Sequence, residues 1–166
     1  VGSNGDLFVF MQDFINQSTN LGQFSLSTAA VLFTNSGTHV LSVSNSGSVN
    51  IGQGFASFGE VATNFAIGQL SIASGNRLTL AGNMDSLTNA LYVGWLDLQG
   101  LATNSFDAAT NALFTALDLP NINLYYDKYD ARNAWLNEWI PDTGYNLWGG
   151  GLLLPIPEPS TCLAMA

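Results

Sequence analysis

Apolar and polar residues alternate along the first two thirds of the chain, and Gly, Asn or Ser interrupts the alternation every few residues. This is the pattern of short strands with one buried face. It predicts strands over Asp6–Phe14, Gln23–Phe33, His39–Val43, Ser48–Ile51, Gln69–Ala73, Arg77–Ala81 and Leu91–Leu98.

Two of these regions resemble each other. Leu41–Ile51 aligns without gaps on Leu70–Leu80, with aliphatic residues at places 1, 3, 9 and 11 and a Gly/Asn/Ser turn between them; Phe24–Ser27 starts a weaker third copy. Two geometries fit the unit. One is a hairpin with tight turns at Asn45–Gly47 and Ser74–Asn76. The other is a strand-corner-strand element of a β-solenoid, for which the 29-residue offset is a usual repeat length. The solenoid is favoured, because small-residue corners and stacked aliphatics recur without Lys or Glu protecting strand edges.

Helical spacing replaces alternation further on. Ser105 or Asp107 can cap a helix with Ala109, Ala112, Leu113, Ala116 and Leu117 on one face, which Pro120 stops. A second short helix is expected from Asp130 to before Pro141, with Trp135 and Trp139 at i, i+4. Phe58, Val61, Ala62, Phe65 and Ala66 carry the spacing of a third, which Gly59 and Asn64 weaken. The fold class is therefore mainly β with two or three short helices. It is one domain over residues 1–154, a β-solenoid or a β-sandwich, followed by a Pro-rich extended tail over 155–166.

Composition narrows the partners. Charged residues are 9% of the 166, against about 25% in an ordinary globular protein. Arg77, Lys128 and Arg132 face twelve carboxylates, for a net charge of −9. Phosphate binding needs clustered Lys and Arg, so nucleic acid and anionic membrane surfaces are poor partners. The polar surface is instead Asn, Ser, Thr, Gly and Gln, which suits an extracellular protein in close contact with its own copies. Cys162, the single cysteine, gives neither an intrachain disulfide nor a Cys-based metal site. Val1–Gly5 has no basic or apolar leader pattern and reads as a mature N-terminus.

Candidate chemistry is sparse. His39, the single histidine, rules out multi-histidine metal sites within one chain, and its place before an alternating strand predicts an exposed strand end rather than a catalytic base. Gly52-Gln53-Gly54 lacks the context of a nucleotide-binding loop. Gly149-Gly150-Gly151 reads as an extended approach to the tail. Asp127 with Asp130 or Glu138 has the residue types of a glycosidase pair. A strand end at Asp127 and a helix cap at Asp130 explain the same residues structurally. Asn121, Asn123, Asp127 and Asp130 are weak calcium candidates without the glycine and bidentate Glu of a calcium loop. No metal and no cofactor is assigned.

Tyr125, Tyr126, Tyr129, Trp135, Trp139, Tyr145 and Trp148 form the strongest site-like feature. Such rings can stack on sugar faces, anchor a subunit interface, or fill the junction between the second helix and the last strand. At the other end, Phe8, Phe10 and Phe14 are candidate donor-strand residues. Residues 1–18, bounded by the polar stretch Asn16–Asn20, can serve as an exchangeable strand that completes a neighbour's sheet.

The chain closes on Pro155-Ile156-Pro157-Glu158-Pro159-Ser160-Thr161, then Cys162-Leu163-Ala164-Met165-Ala166. Residues 157–161 resemble the PEP-CTERM sorting signal of exported bacterial proteins. In that family Pro-Glu-Pro precedes a membrane helix and a basic tail, and an exosortase processes the signal. Here too few apolar residues follow to span a bilayer, which takes about 20, and no Arg cluster closes the chain, so the segment reads as truncated. Asn89–Leu98, Ile122–Asp127, Asn133–Leu136 and Tyr145–Leu152 are similar to stretches of exported PEP-CTERM proteins of verrucomicrobial type. The resemblance implies an extracellular or cell-surface matrix protein with exosortase as its export partner, and it brings no catalytic residues.

The resulting expectation is a non-enzymatic extracellular structural protein that associates with itself, as a filament if strands are donated head to tail. The alternative is a matrix protein that binds polysaccharide through the Tyr/Trp cluster.

Overall fold

The structure is a computed structural model that describes residues 5–16, 26–42, 65–82 and 89–156. The elements are β1 (Leu7–Phe10), β2 (Phe14–Ile15), β3 (Leu26–Phe33), β4 (Gly37–Ser42), β5 (Ala66–Ala73), β6 (Asn76–Ala81), β7 (Asn89–Gln99), α1 (Phe106–Ala116), β8 (Leu117–Asp118) and β9 (Ile122–Tyr126). A 3-10 turn (Ala131–Asn133), α2 (Ala134–Trp139), β10 (Tyr145–Asn146) and β11 (Leu152–Pro155) complete the described chain.

Two sheets result. The larger has the order β1-β3-β5-β7-β9-β11-β10 and the smaller β2-β4-β6-β8. The chain alternates between them, giving one strand to each in what we call a coil. Among the described residues every ladder is parallel except β10 with β11. The mainly β expectation holds, with two short α-helices. β5 and β6 turn a corner at Ser74–Gly75 and lie in different sheets, so Leu70–Leu80 is not a hairpin.

The 29-residue sequence repeat is not the structural period at this point. Leu41 lies in the small sheet opposite Leu80, whereas Leu70 lies in the large sheet opposite Val31. Stacked partners are separated by 23, 39, 26, 33 and 29 residues in the pairs Leu7/Ala30, Ala30/Gln69, Gln69/Trp95, Leu91/Leu124 and Leu124/Leu153. Strand and corner recur; the connections between them vary in length.

Between the sheets, like sits on like. Phe33, Ile72 and Leu98 form one column of register partners, Val31, Leu70 and Leu96 a second, and Leu91 and Leu124 begin a third. In the small sheet Leu41 stacks on Leu80, and His39 heads a column with Leu78 and Leu117. All of these side chains belong to the buried interior. Parallel strands buried this way stabilise through packing along the column as well as through ladder hydrogen bonds. The corners stack too, with the Gly37 N–H donating to Gly75 O at 3.1 Å. Gly75 sits at φ 84°, a backbone region that L side chains enter at a cost.

Several expectations are corrected. Asp6–Phe14 is not one strand: the chain bends at Met11–Asp13, and β1 and β2 join different sheets. His39 is buried, 5% exposed, and its Nε2 lies 2.9 Å from Asn76 Oδ1. Gly149–Gly151 is no extended approach but a tight turn between β10 and β11, held by Leu147 N–H to Gly151 O at 3.0 Å and Gly151 N–H to Leu119 O at 3.0 Å. Pro155 belongs to β11 opposite Tyr126, and the Ile156 N–H donates to Tyr126 O at 2.9 Å, so the folded body reaches residue 156. Successive strand N–H groups point to opposite sides. Position 155 therefore faces the side where β10 has already ended, and the missing donor of proline costs nothing there.

Ser105 caps α1 as expected, its Oγ accepting from the Ala108 N–H at 3.2 Å, and Ala109, Ala112, Leu113 and Ala116 face inward. Leu117 leaves the helix to pair with Leu78. The predicted strand Ser48–Ile51, the 58–64 part of the third helix, residues 17–20 of the N-terminal linker, Gly52–Gly54, and Pro157–Thr161 with Cys162 lie outside the described residues.

Candidate functional site

The outer face of the large sheet carries one irregularity repeated coil after coil. Ser27-Thr28 in β3, Gly68-Gln69 in β5 and Gly94-Trp95 in β7 each leave two successive residues outside the core between buried neighbours. The register shifts there, from Leu26↔Ile67 to Ala30↔Gln69. These are bulges stacked in a column. A Cβ on Gly94 would lie 2.5 Å from Gly68 O, and one on Gly68 would lie 2.9 Å from Ala29 O, so only glycine lets the bulges nest.

Asn133 terminates the column. Fully buried, it donates from Nδ2 to Gly94 O (2.6 Å) and Asp127 O (2.8 Å), and its Oδ1 accepts from the Leu96 N–H (3.1 Å). One amide side chain thus satisfies backbone groups that the bulge withdraws from the ladder. It also places the segment Asp127–Arg132 beside the column.

In that segment Asp127 follows the end of β9, with Oδ1 accepting from the Tyr129 N–H at 2.9 Å. Asp130 caps the 3-10 turn and binds the Arg132 guanidinium through both oxygens, at 2.6 Å from Nη2 to Oδ2 and 2.9 Å from Nε to Oδ1. These hydrogen bonds hold the Asp130 carboxyl below the usual carboxylate range and push the guanidinium up. The guanidinium lies over the Trp95 ring, 4.5 Å from its centroid. Among the described residues no group of three His, Cys, Asp or Glu side chains is placed to hold a metal ion. Asn123 Oδ1 accepts from the Leu152 N–H at 2.9 Å, and Asn121 O accepts from Asn89 Nδ2 at 3.1 Å, so both calcium candidates serve the backbone frame.

The seven rings do not make one platform. Tyr125 and Tyr126 are successive in β9 and face opposite ways. Tyr125 is half-buried and stacks on the buried Tyr92 (4.7 Å, 11°), while Tyr126 is 1% exposed on the opposite side of the strand. Burial, and then Asp142, push the Tyr126 hydroxyl up to about 12. Tyr129 is exposed, with the Lys128 ammonium 5.4 Å from its ring centroid. Trp135 packs against the core edge. Trp139, Phe106, Tyr145, Phe114 and Trp148 form a separate chain of edge-to-face contacts, 6.5, 6.3, 5.9 and 5.5 Å in order, which joins α2 and α1 to the β10–β11 turn. Phe106 and Phe114, which extend this row, were not picked out from sequence. Neither were Trp95 and Asn133. Asp127 and Asp130, singled out as carboxylates, were the signal that pointed to this segment.

The first coil is the other unusual surface. Phe10 and Phe14 stack at 4.6 Å and Phe10 meets Phe33 at 5.5 Å, so two of the three candidate donor residues pack against their own chain's core. Phe8 is exposed, with Leu7, Val9, Met11 and Ile15. β1 is paired along its whole length with β3, and the Val40 N–H donates to Asp13 Oδ1 at 2.7 Å. No family model matches the chain, and neither a curated protein nor a solved structure shows similarity to it.

Proposed function

We propose that this is a non-catalytic structural protein, a parallel β-solenoid that associates end to end with its own copies. The observation that carries the reading is the first coil. Of the eight large apolar side chains exposed among the described residues, five (Leu7, Phe8, Val9, Met11 and Ile15) belong to it. They lie on β1 and β2, the terminal strands of the large and small sheets, and on the corner between them. A patch of this kind at the end of a parallel stack favours burial against another chain. Contact of the first coil with the last coil of the next copy is heterologous and does not close, so it grows a filament.

Stacking needs no strand exchange. Donation would require β1 to leave β3, and Phe10 and Phe14 to leave Phe33. The low charge density and the Asn/Ser/Thr/Gly surface support an extracellular setting. The likeness of residues 157–161 to the PEP-CTERM signal supports export and sorting, with exosortase as the processing partner.

The test is sedimentation velocity across a concentration series with wild type and Val9→Glu/Met11→Glu. Wild type is expected to form polymers, and the double variant to stay monomeric with an unchanged circular dichroism spectrum. Polymers of equal size in both would reject the first coil as the interface. A wild type monomeric at every concentration would reject self-association, and a species that stops at the dimer would reject the filament.

A further inference from the structure

The stacked bulges form a cleft of about 590 Å³ on the outer face of the large sheet. It crosses the stack, from Asp6 beside β1, over Thr28, Gly68 and Gly94, to Asp127, Asp130 and Arg132 beyond β9. Strands in a sheet lie about 4.8 Å apart, so the cleft runs on the order of 20 Å across them. Its middle lacks side chains because the nested bulges accept only glycine at 68 and 94. The floor is therefore backbone, and the walls are polar. Arg132 also lines a second cleft of about 280 Å³, which contains Trp95 and Trp135, so one side chain divides a carboxylate-walled space from a tryptophan-walled one.

The charges select the occupant. Three carboxylates face one guanidinium in the larger cleft, and that guanidinium is already committed to Asp130. An anionic polymer is repelled, and the whole chain at −9 adds to the repulsion. A long, shallow trough with a backbone floor and carboxylates at its two ends, Asp6 at one and Asp127 with Asp130 at the other, suits an extended polyol. Hydroxyls and amines donate to carboxylates in charge-assisted hydrogen bonds. The volume lies within the usual range for ligand clefts, about 300–1,000 Å³.

We propose that this cleft binds a segment of an extended, non-anionic polysaccharide, an amino-sugar polymer in preference to a neutral one. The site is separate from the row of rings at α1, α2 and the β10–β11 turn, and it does not depend on end-to-end assembly. The polymer lies across the coils, from the Asp6 end toward Arg132.

Fluorescence anisotropy with labelled chitosan hexamer, cellohexaose and hexagalacturonate tests it on wild type, Thr28→Tyr, Asp127→Asn and Trp148→Ala. Thr28 is exposed, so a tyrosine there obstructs the cleft without entering the core. Wild type is expected to bind chitosan hexamer most tightly, cellohexaose more weakly and hexagalacturonate not at all. Thr28→Tyr should abolish binding of both ligands, Asp127→Asn should weaken the chitosan hexamer about tenfold, and Trp148→Ala should change neither. Three results would each overturn the proposal: hexagalacturonate binding as tightly as the others, binding unaltered by Thr28→Tyr, and no binding of any of the three by wild type at millimolar concentration. Chitosan binding that survives Thr28→Tyr while cellohexaose fails to bind would identify diffuse attraction to an acidic surface and would likewise overturn it.

Discussion

The interior between the sheets and the closing region after β7 are stabilised in different ways. In the interior, residues of the same kind stack coil upon coil: Val31, Leu70 and Leu96, or Phe33, Ile72 and Leu98. The same apolar contact recurs from one coil to the next, so the column is redundant. In the closing region each contact occurs once. Asn133 makes three hydrogen bonds that no other described residue duplicates, and five rings meet edge to face in a single row. The column of bulges is the point where the two regimes meet, since Asn133 closes a stack that the repeated strands begin. Periodic packing supplies most of the apolar burial, and singular polar contacts fix where it stops.

The largest effect expected from this contrast is at Gly94. An alanine there drives a Cβ to 2.5 Å from the Gly68 carbonyl oxygen, a backbone atom that can yield only by distorting the nested bulges. Gly94→Ala should cost about 3 kcal/mol or more, comparable to truncating Leu70 to alanine in the aliphatic column. Urea denaturation measures both. A Gly94→Ala midpoint near wild type would show that the bulges are loose and the contrast is overdrawn.

Next comes Asn133→Ala, which strips partners from two carbonyls and one N–H at a buried site. About 2–3 kcal/mol is expected, with faster amide exchange at Leu96 and little change at Leu70. Uniform loss of protection across both would instead make the closing region and the column a single cooperative unit.

The smallest effect appears only in alkali. The Tyr126 hydroxyl ionises near 12 in the folded chain and near 10 when unfolded, because burial disfavours its charged form. Between those pH values the unfolded state has lost a proton that the folded state keeps. Stability present below pH 10 therefore falls as pH rises toward 12, by up to about 2 kcal/mol. Tyr126→Phe should flatten that decline relative to wild type in thermal melts at pH 9, 10 and 11. Parallel curves would mean that Tyr126 does not set the alkaline limit.

The aliphatic columns were legible because alternation with small-residue corners is a local signal. Its failures share a cause. Phe8, Phe10 and Phe14 keep even spacing across the bend at Met11–Asp13, so alternation cannot see the chain change sheets. His39 shares parity with the inward Leu41, but its place ahead of the alternating strand was read as an exposed end, whereas the strand begins at Gly37 and carries it inside. The gapless match of Leu41–Ile51 to Leu70–Leu80 begins by pairing Leu41 of the small sheet with Leu70 of the large one, because connections of unequal length separate equivalent strands. Asn133 could not be found locally, as the strand groups it binds lie 37 and 39 residues away. Asp130 and the Ser105 cap were found because their partners are two and three residues distant.

The order of strands in the large sheet has a mechanical consequence. β1 and the β10–β11 pair stand at opposite limits of that sheet, so tension applied between the two described ends of the chain acts along the direction in which coils are added. Ladder bonds lie along that same direction, and a pull of this kind peels them in succession, whereas strands drawn lengthwise past each other must break a whole ladder together. Under load the chain yields one coil at a time, each release lengthening it by the 23 to 39 residues that separate stacked partners. The fold thus behaves as an extensible link that absorbs a tug in small steps and can rewind from the coils that remain.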